Sequence, residues 1–285
     1  MRLFKQFVVA PAPAAPLACT MAQPGQAGGR PGSPAGRSNR KSQRMGLLRR
    51  LWAPRNDVAI SVFFLMSLFC SFSYAEEISL PFAKGETITY AIKKLGIKAG
   101  EATLTFEGIT EINGKQAYLI VFKADGFNFY DEERIYVDIK TYAPVMVLRN
   151  VNIFGSKEKI GEEYLTAEGK IKITKIVGTT TSQQVIEKKG QIDNIYGAIY
   201  KYRQQGTFKV GDKAALRLPT MDVTLKLAKT VKIDAAGKEY EAFFMESEPS
   251  KFQIWFDTSD KKIPLRINGA VGMANTTMVM ISYKE

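Results

Sequence analysis

Three groups of residues in this chain have the types and spacing that chemistry requires. Asp131-Glu132-Glu133 beside Arg134 offers paired carboxylates for acid and base work. Asp257 and Asp260, with Thr258 and Ser259 between them, present oxygens of the kind that hold a hard cation. Gly96, Gly100 and Gly108 are small residues of the kind that let backbone amides approach a phosphate. Each group also has a plainer reading. Adjacent carboxylates on a strand point to opposite faces, which favours a solvated loop for 131–133. A β-turn between Phe256 and Ile263 accounts for the two aspartates without a metal. No helix follows the glycines, as a phosphate loop needs, so bends or bulges account for them.

What is missing narrows the chemistry further. The chain has no histidine and two cysteines, Cys19 and Cys70. Ser-His-Asp and Cys-His nucleophiles, imidazole or thiolate zinc sites and iron–sulfur ligation are therefore excluded after residue 75, and no cofactor is expected. Nucleic-acid binding is also excluded, although the chain holds 40 Lys+Arg against 28 Asp+Glu. Residues 1–75 carry 10 of those basic residues and 1 of the acidic ones, leaving 30 against 27 in the remaining 210 residues. Arg134, Arg149, Arg203, Arg217 and Arg266 are scattered singly there, unlike a phosphate-tracking stripe.

That partition rests on the apolar run Val58–Ala75, preceded by Arg49, Arg50 and Arg55. Its core, Val58–Cys70, is 13 residues long, within the range of a signal h-region and short of the roughly 20 that cross a bilayer. Ser73 and Ala75 suit signal peptidase, so cleavage is expected after Ala75 and location in the periplasm, with a mature chain that does not span the membrane. An uncleaved anchor and a buried core helix are the alternatives. Residues 1–44, rich in Pro, Ala, Gly, Ser and Arg, are expected to be a disordered leader. Met45 begins a normal signal n-region, which makes 45–75 the signal peptide and Met45 the expected start of translation. Residues 76–285 then form one domain.

The elements that must position any site are strands. Met221, Val223, Leu225, Leu227, Val231 and Ile233 alternate with Asp222, Thr224, Lys226, Thr230 and Lys232, so one face meets a core and the other meets water. Similar alternation recurs from Ile88 to Ile153, punctuated by Asn113-Gly114, Asp125-Gly126, Glu168-Gly169 and Ala236-Gly237. The period predicts an all-β protein, mainly an antiparallel meander, as a curved sheet or a partly open barrel or sandwich. One short amphipathic helix is added by Ile192, Ile195, Tyr196, Ile199 and Tyr202 or Arg203, with Asp193 and Asn194 near its start and Gly206 after its end. Ala117–Phe122, Phe243–Met245 and Phe252–Phe256 are apolar on both faces. Either a helix or second sheet covers them, or they line an apolar ligand groove.

Gly85-Glu86-Thr87-Ile88-Thr89-Tyr90, Gly96-Ile97-Lys98-Ala99-Gly100-Glu101-Ala102 and Trp255-Phe256-Asp257 through Ile263-Pro264-Leu265 resemble the DUF3108 family of exported bacterial domains of unknown function. The resemblance spans roughly Leu80–Tyr283 and implies an exported β-rich domain with no established reaction. By fold analogy, such a sheet with a helix over its concave side is similar to the periplasmic lipoprotein carriers of the Lol system. Lys201 and Lys262 stand where the family usually has arginines, with Arg203 and Arg266 displaced nearby.

The functional expectation is a non-enzymatic periplasmic protein that holds an apolar ligand or lipid in the concave side of its sheet. Phe122, Phe127, Phe129, Tyr196, Phe243, Phe252 and Trp255 are the candidate lining residues. An envelope-assembly factor that meets a protein partner through sheet edges and the Phe127 loop is the alternative. A carboxylate-based hydrolase or transferase, third in order, requires a cleft with two close carboxylates, one of them desolvated.

Overall fold

Fourteen strands form one antiparallel sheet in the computed structural model, which describes residues 80–269 and 276–285. The leader, signal peptide and cleavage site expected within residues 1–75 lie outside the described residues. The first eight strands are β1 (Thr87–Lys94), β2 (Ile97–Ile112), β3 (Lys115–Gly126), β4 (Phe129–Asp138), β5 (Pro144–Ile153), β6 (Ser156–Leu165), β7 (Lys170–Val177) and β8 (Thr180–Glu187). Helix α1 (Ile195–Gln205) follows. Then come β9 (Lys213–Leu218), β10 (Met221–Ala235), β11 (Lys238–Glu248), β12 (Gln253–Asp257), β13 (Pro264–Asn268) and β14 (Thr276–Lys284).

Each strand pairs with its neighbour in sequence, except that β14 pairs with β1 and nothing bridges β8 to β9 within the sheet. Both ends of the described domain therefore lie mid-sheet, and the two edge strands are the ones that flank α1. The all-β class and the single helix follow the sequence period, and the turn at Asn113-Gly114 has the two positive φ angles, 52° and 71°, of a type I′ hairpin.

The edges meet at one end through the segment after β8. Asp193 N–H donates to Arg217 O at 2.7 Å, and Arg217 N–H donates to Asp193 Oδ2 at 2.9 Å. Lys188 Nζ reaches Leu218 O and Asp222 Oδ1, each at 2.5 Å. At the far end of β10–β11, Ala236 N–H donates to Met280 O at 2.9 Å, which ties that hairpin back to β14.

Helix α1 packs against β3 and β4 and, on its other flank, against β9. Asn194 caps it, its side chain accepting from Tyr196 N–H at 2.9 Å and Gly197 N–H at 3.3 Å. Gly197 allows the approach, because a Cβ there would stand 3.1 Å from Val137 Cγ1 and 3.3 Å from Tyr142 O. Tyr196, Ile199, Tyr200 and Arg203 are buried beneath the helix. Of the two alternatives for the stripe's last member it is thus Arg203, not Tyr202, that is fully inside, and the reason is an ion pair.

Candidate functional site

Glu86 precedes β1 and Arg203 ends α1, and both are buried. Arg203 Nη1 donates to Glu86 Oε1 at 2.6 Å and Nη2 to Oε2 at 2.8 Å, a bidentate fork. Tyr283 Oη donates to Glu86 Oε2 at 3.1 Å, and Arg203 also donates to Lys261 O through Nε at 3.1 Å and Nη2 at 3.0 Å. The guanidinium lies over Phe82 at 4.8 Å and Tyr200 at 5.1 Å. Burial works against the arginine's charge, but the bonds to Glu86 outweigh it and hold its pKa up. One anion meets one cation through two hydrogen bonds, and two more tie the guanidinium to Lys261 O, so this unit is a clamp between α1, the β12–β13 turn and the approach to β1.

A second polar cluster lies on the same face of β4–β6, near the start of α1, and its charges do not balance. Asp131 and Glu133 are two residues apart in β4, so they share the face of Ile135 and Val137 and are not a solvated loop. Arg149 of β5 faces them. Its Nε and Nη2 donate to the two oxygens of Asp131 at 2.7 and 2.5 Å, and its Nε stands 3.2 Å from Glu133 Oε1. On β6, Glu162 accepts from Tyr164 Oη at 2.6 Å. Burial, eased by Arg149 but reinforced by Asp131 and Glu162, pushes Glu133 up to about 7. Burial also raises Glu162, against the pull of Tyr164 and Arg149. The desolvated member of a carboxylate pair is therefore present. Both oxygens of its partner Asp131 are occupied by Arg149, which removes Asp131 as a base or nucleophile.

Space for a ligand lies on the other flank of α1. A groove of ≈ 460 Å³ runs between the helix and β9–β10. Ala198, Tyr202, Leu216 and Leu225 supply apolar wall, while Asp193, Lys201 and Asp212 stand among its polar members. Ala214 keeps the β9 side low. Tyr202 Oη is buried without a partner among the described residues, and burial with nearby Asp212 pushes its pKa up to about 12. A second hollow of ≈ 510 Å³, between Phe82, Arg203, Gln204 and Lys261, opens beside the clamp.

The aromatic candidates are not gathered in one groove. Phe122 and Tyr196 stack on each other at 4.4 Å inside the core, and Phe252 is buried there too. Phe127 is 87% exposed at the β3–β4 tip, while Phe129, half-buried, packs its ring over Gly126. Phe243 packs on Phe208 at 5.3 Å beneath the Lys262 ammonium. Trp255 alternates to the side opposite Phe256, between Phe244 at 4.8 Å and the Arg266 guanidinium at 4.7 Å. The displaced arginines thus both have work, Arg203 in the clamp and Arg266 on Trp255.

Asp257 turns out to shape the β12–β13 turn, accepting from Ile263 N–H at 2.8 Å and Ser259 Oγ at 2.7 Å. Among the described residues no cluster of three or more Asp and Glu is arranged to hold a metal. Sequence reasoning singled out Glu133 but favoured a solvated loop for it, and it missed Glu86, Arg149 and Glu162 as members of buried clusters. The period-two parity of Asp131 and Glu133 with Ile135 and Val137 was the available signal.

No curated protein matches the sequence. Among solved structures, a β-barrel-like protein of DUF1849 from Brucella abortus is similar, with 8% identity, a TM-score of 0.42, and coverage of 73% of this chain and 98% of that one. A scan against protein families matches residues 87–281 to the family described as a protein of unknown function, DUF3108, and the chain belongs to that family.

Proposed function

We propose that the protein is a non-catalytic binding protein of the periplasm that takes an apolar or amphipathic small molecule, such as a lipid, in the groove between α1 and β9–β10. One observation carries this reading: a groove of ≈ 460 Å³ has an apolar wall of Ala198, Tyr202, Leu216 and Leu225 and a polar margin that includes Asp193, Lys201 and Asp212. Ligand sites combine these features, with apolar lining for affinity, a few polar groups for orientation and volumes of about 300–1,000 Å³. The apolar run before Ala75 supports export, and the absence of histidine and of cysteine after residue 75 supports binding over catalysis.

The test is native mass spectrometry of protein released from the periplasm, with lipid extraction of the same sample. The released form is expected to begin at Glu76 and to carry a bound small molecule. Ala214→Trp, which fills the groove from a half-exposed position, is expected to release it without loss of fold. Empty wild-type protein, or a ligand retained by Ala214→Trp, refutes the reading.

A second reading, contact with an envelope protein during assembly, has its own observation. Strand β8 is an edge of the sheet, and seven of its eight residues are exposed. An open edge offers backbone donors and acceptors to an added strand. A dominant protein adduct on crosslinking in cells favours this reading over the first.

A further inference from the structure

In an antiparallel meander alternate turns lie at the same end, so the β1–β2, β3–β4, β5–β6 and β7–β8 tips share one rim. The register places them side by side. Gly100 pairs with Gly126 and Phe129 with Ile153, and Phe154 N–H donates to Asn128 O at 2.8 Å. Among the described residues the four most exposed large hydrophobic side chains are Phe127 at 87%, Leu95 at 85%, Ile97 at 75% and Phe154 at 63%. All four sit on three consecutive tips of this rim, and Ile176 and Val177 add partly exposed surface on the fourth.

Two of these residues are also unfavourable for the backbone. Leu95 has φ 50° ahead of Gly96 at 83°, and Phe154 has φ 51° ahead of Gly155 at 85°. Such two-residue turns favour Asn or Gly at the first position, because other L-residues are strained there. The turn at the opposite end, Asn113-Gly114, follows that preference. Leu95 and Phe154 therefore cost both local stability and solubility, and a contact outside the chain offsets both.

Charge selects the contact. Lys93 and Lys94 precede Leu95 and Lys98 follows Ile97, where it pairs with Glu101, and Lys157 follows Phe154. Asp125, beside Phe127, is the acidic residue nearest that tip. We propose that this rim docks on an anionic lipid bilayer surface, with Leu95, Ile97, Phe127 and Phe154 entering the headgroup–acyl boundary and the lysines of the β1–β2 hairpin meeting the lipid phosphates. Interfacial binding combines buried apolar area with attraction of cations to anionic lipid. The rim is separate from the α1 groove, so either site can fail without the other.

Depth-resolved quenching in the full chain tests this. Leu95→Trp, Phe127→Trp and Ile109→Trp are each mixed with vesicles of brominated phosphatidylglycerol and phosphatidylcholine, and the emission of the wild-type chain, from Trp52 and Trp255, is subtracted. Emission from the first two is expected to be quenched and that from Ile109→Trp, 59% exposed on β2, to be spared. Adding Leu95→Asn to Phe127→Trp is expected to weaken the apparent affinity about tenfold, with an unchanged or higher melting temperature because Asn suits the turn. Equal quenching at all three positions, full quenching in phosphatidylcholine alone, or a Leu95→Asn variant of undiminished affinity overturns the proposal. So does a rim that captures a protein and leaves lipid untouched.

Discussion

Two ionic clusters lie on the helix-covered face of this sheet, and they are built on opposite principles. At the end of α1, Arg203 meets Glu86 one to one, with Tyr283, Lys261 O and two aromatic rings completing the shell. Near the start of the helix, Arg149 faces Asp131 and Glu133, with Glu162 beside them. The balanced pair, whose guanidinium is held charged by its bonds to the carboxylate, acts as a fixed joint. An overloaded one keeps its last carboxylate protonated up to near neutrality and yields as that proton leaves. Neither reads as a reaction centre, because the side chains that would do the work are already engaged with each other.

The largest effect is expected from removing the cation of the balanced pair. Arg203→Met leaves Glu86 buried without a counter-charge and is expected to cost about 3–5 kcal/mol in urea unfolding. Adding Glu86→Gln should recover much of that loss. A single-variant loss below about 1 kcal/mol would mean that the pair is not a joint.

Glu133→Gln should act with the opposite sign. The folded-state pKa of Glu133, about 7, lies above its ordinary value of 4.5, so the folded chain binds more protons between those values. The stability this group contributes is full below about pH 4.5 and falls as pH rises through about 7. Wild-type melting temperature should therefore drop across that window. The glutamine variant should remove this part of the drop and gain about 2 kcal/mol of stability above it. A variant destabilised at neutral pH would contradict the overloaded-cluster account.

The smallest effect concerns the shell of the first pair. Tyr283→Phe deletes one 3.1 Å hydrogen bond to Glu86 and should lower the unfolding free energy by about 1 kcal/mol, read as a lower urea midpoint at an unchanged m-value.

Both clusters were hard to find from sequence, for different reasons. Glu86 and Arg203 are separated by 117 positions, and a pairing that distant depends on how α1 lies across the sheet, which no local pattern encodes. Arg203 even sat within the helical stripe, where Tyr202 was an equal alternative. The Asp131–Glu133 pair was within reach: the period-two argument that assigns Val223, Leu225 and Leu227 to one buried face also places both carboxylates with Ile135 and Val137. Weighing neighbours 131 and 132 instead of alternate residues hid it.

The strands, the hairpins and the helix with Asn194 at its cap were legible because they rest on local period and capping. The aromatic lining was not. Phe122 meets Tyr196 as core, Phe127 is exposed at a tip and Trp255 turns to the side opposite Phe256, and only the tertiary register decides such placements.

Occupancy of the α1 groove is tested by a photoreactive benzophenone side chain at Lys201 in living cells. Lys201 is half-exposed on α1 and lines the groove, so the probe can be placed there without entering the core. An adduct in the mass range of a lipid or similar small molecule is expected, lost when Ala214→Trp is added. An adduct of protein mass, or none above that of the same probe on exposed Lys238, would contradict it.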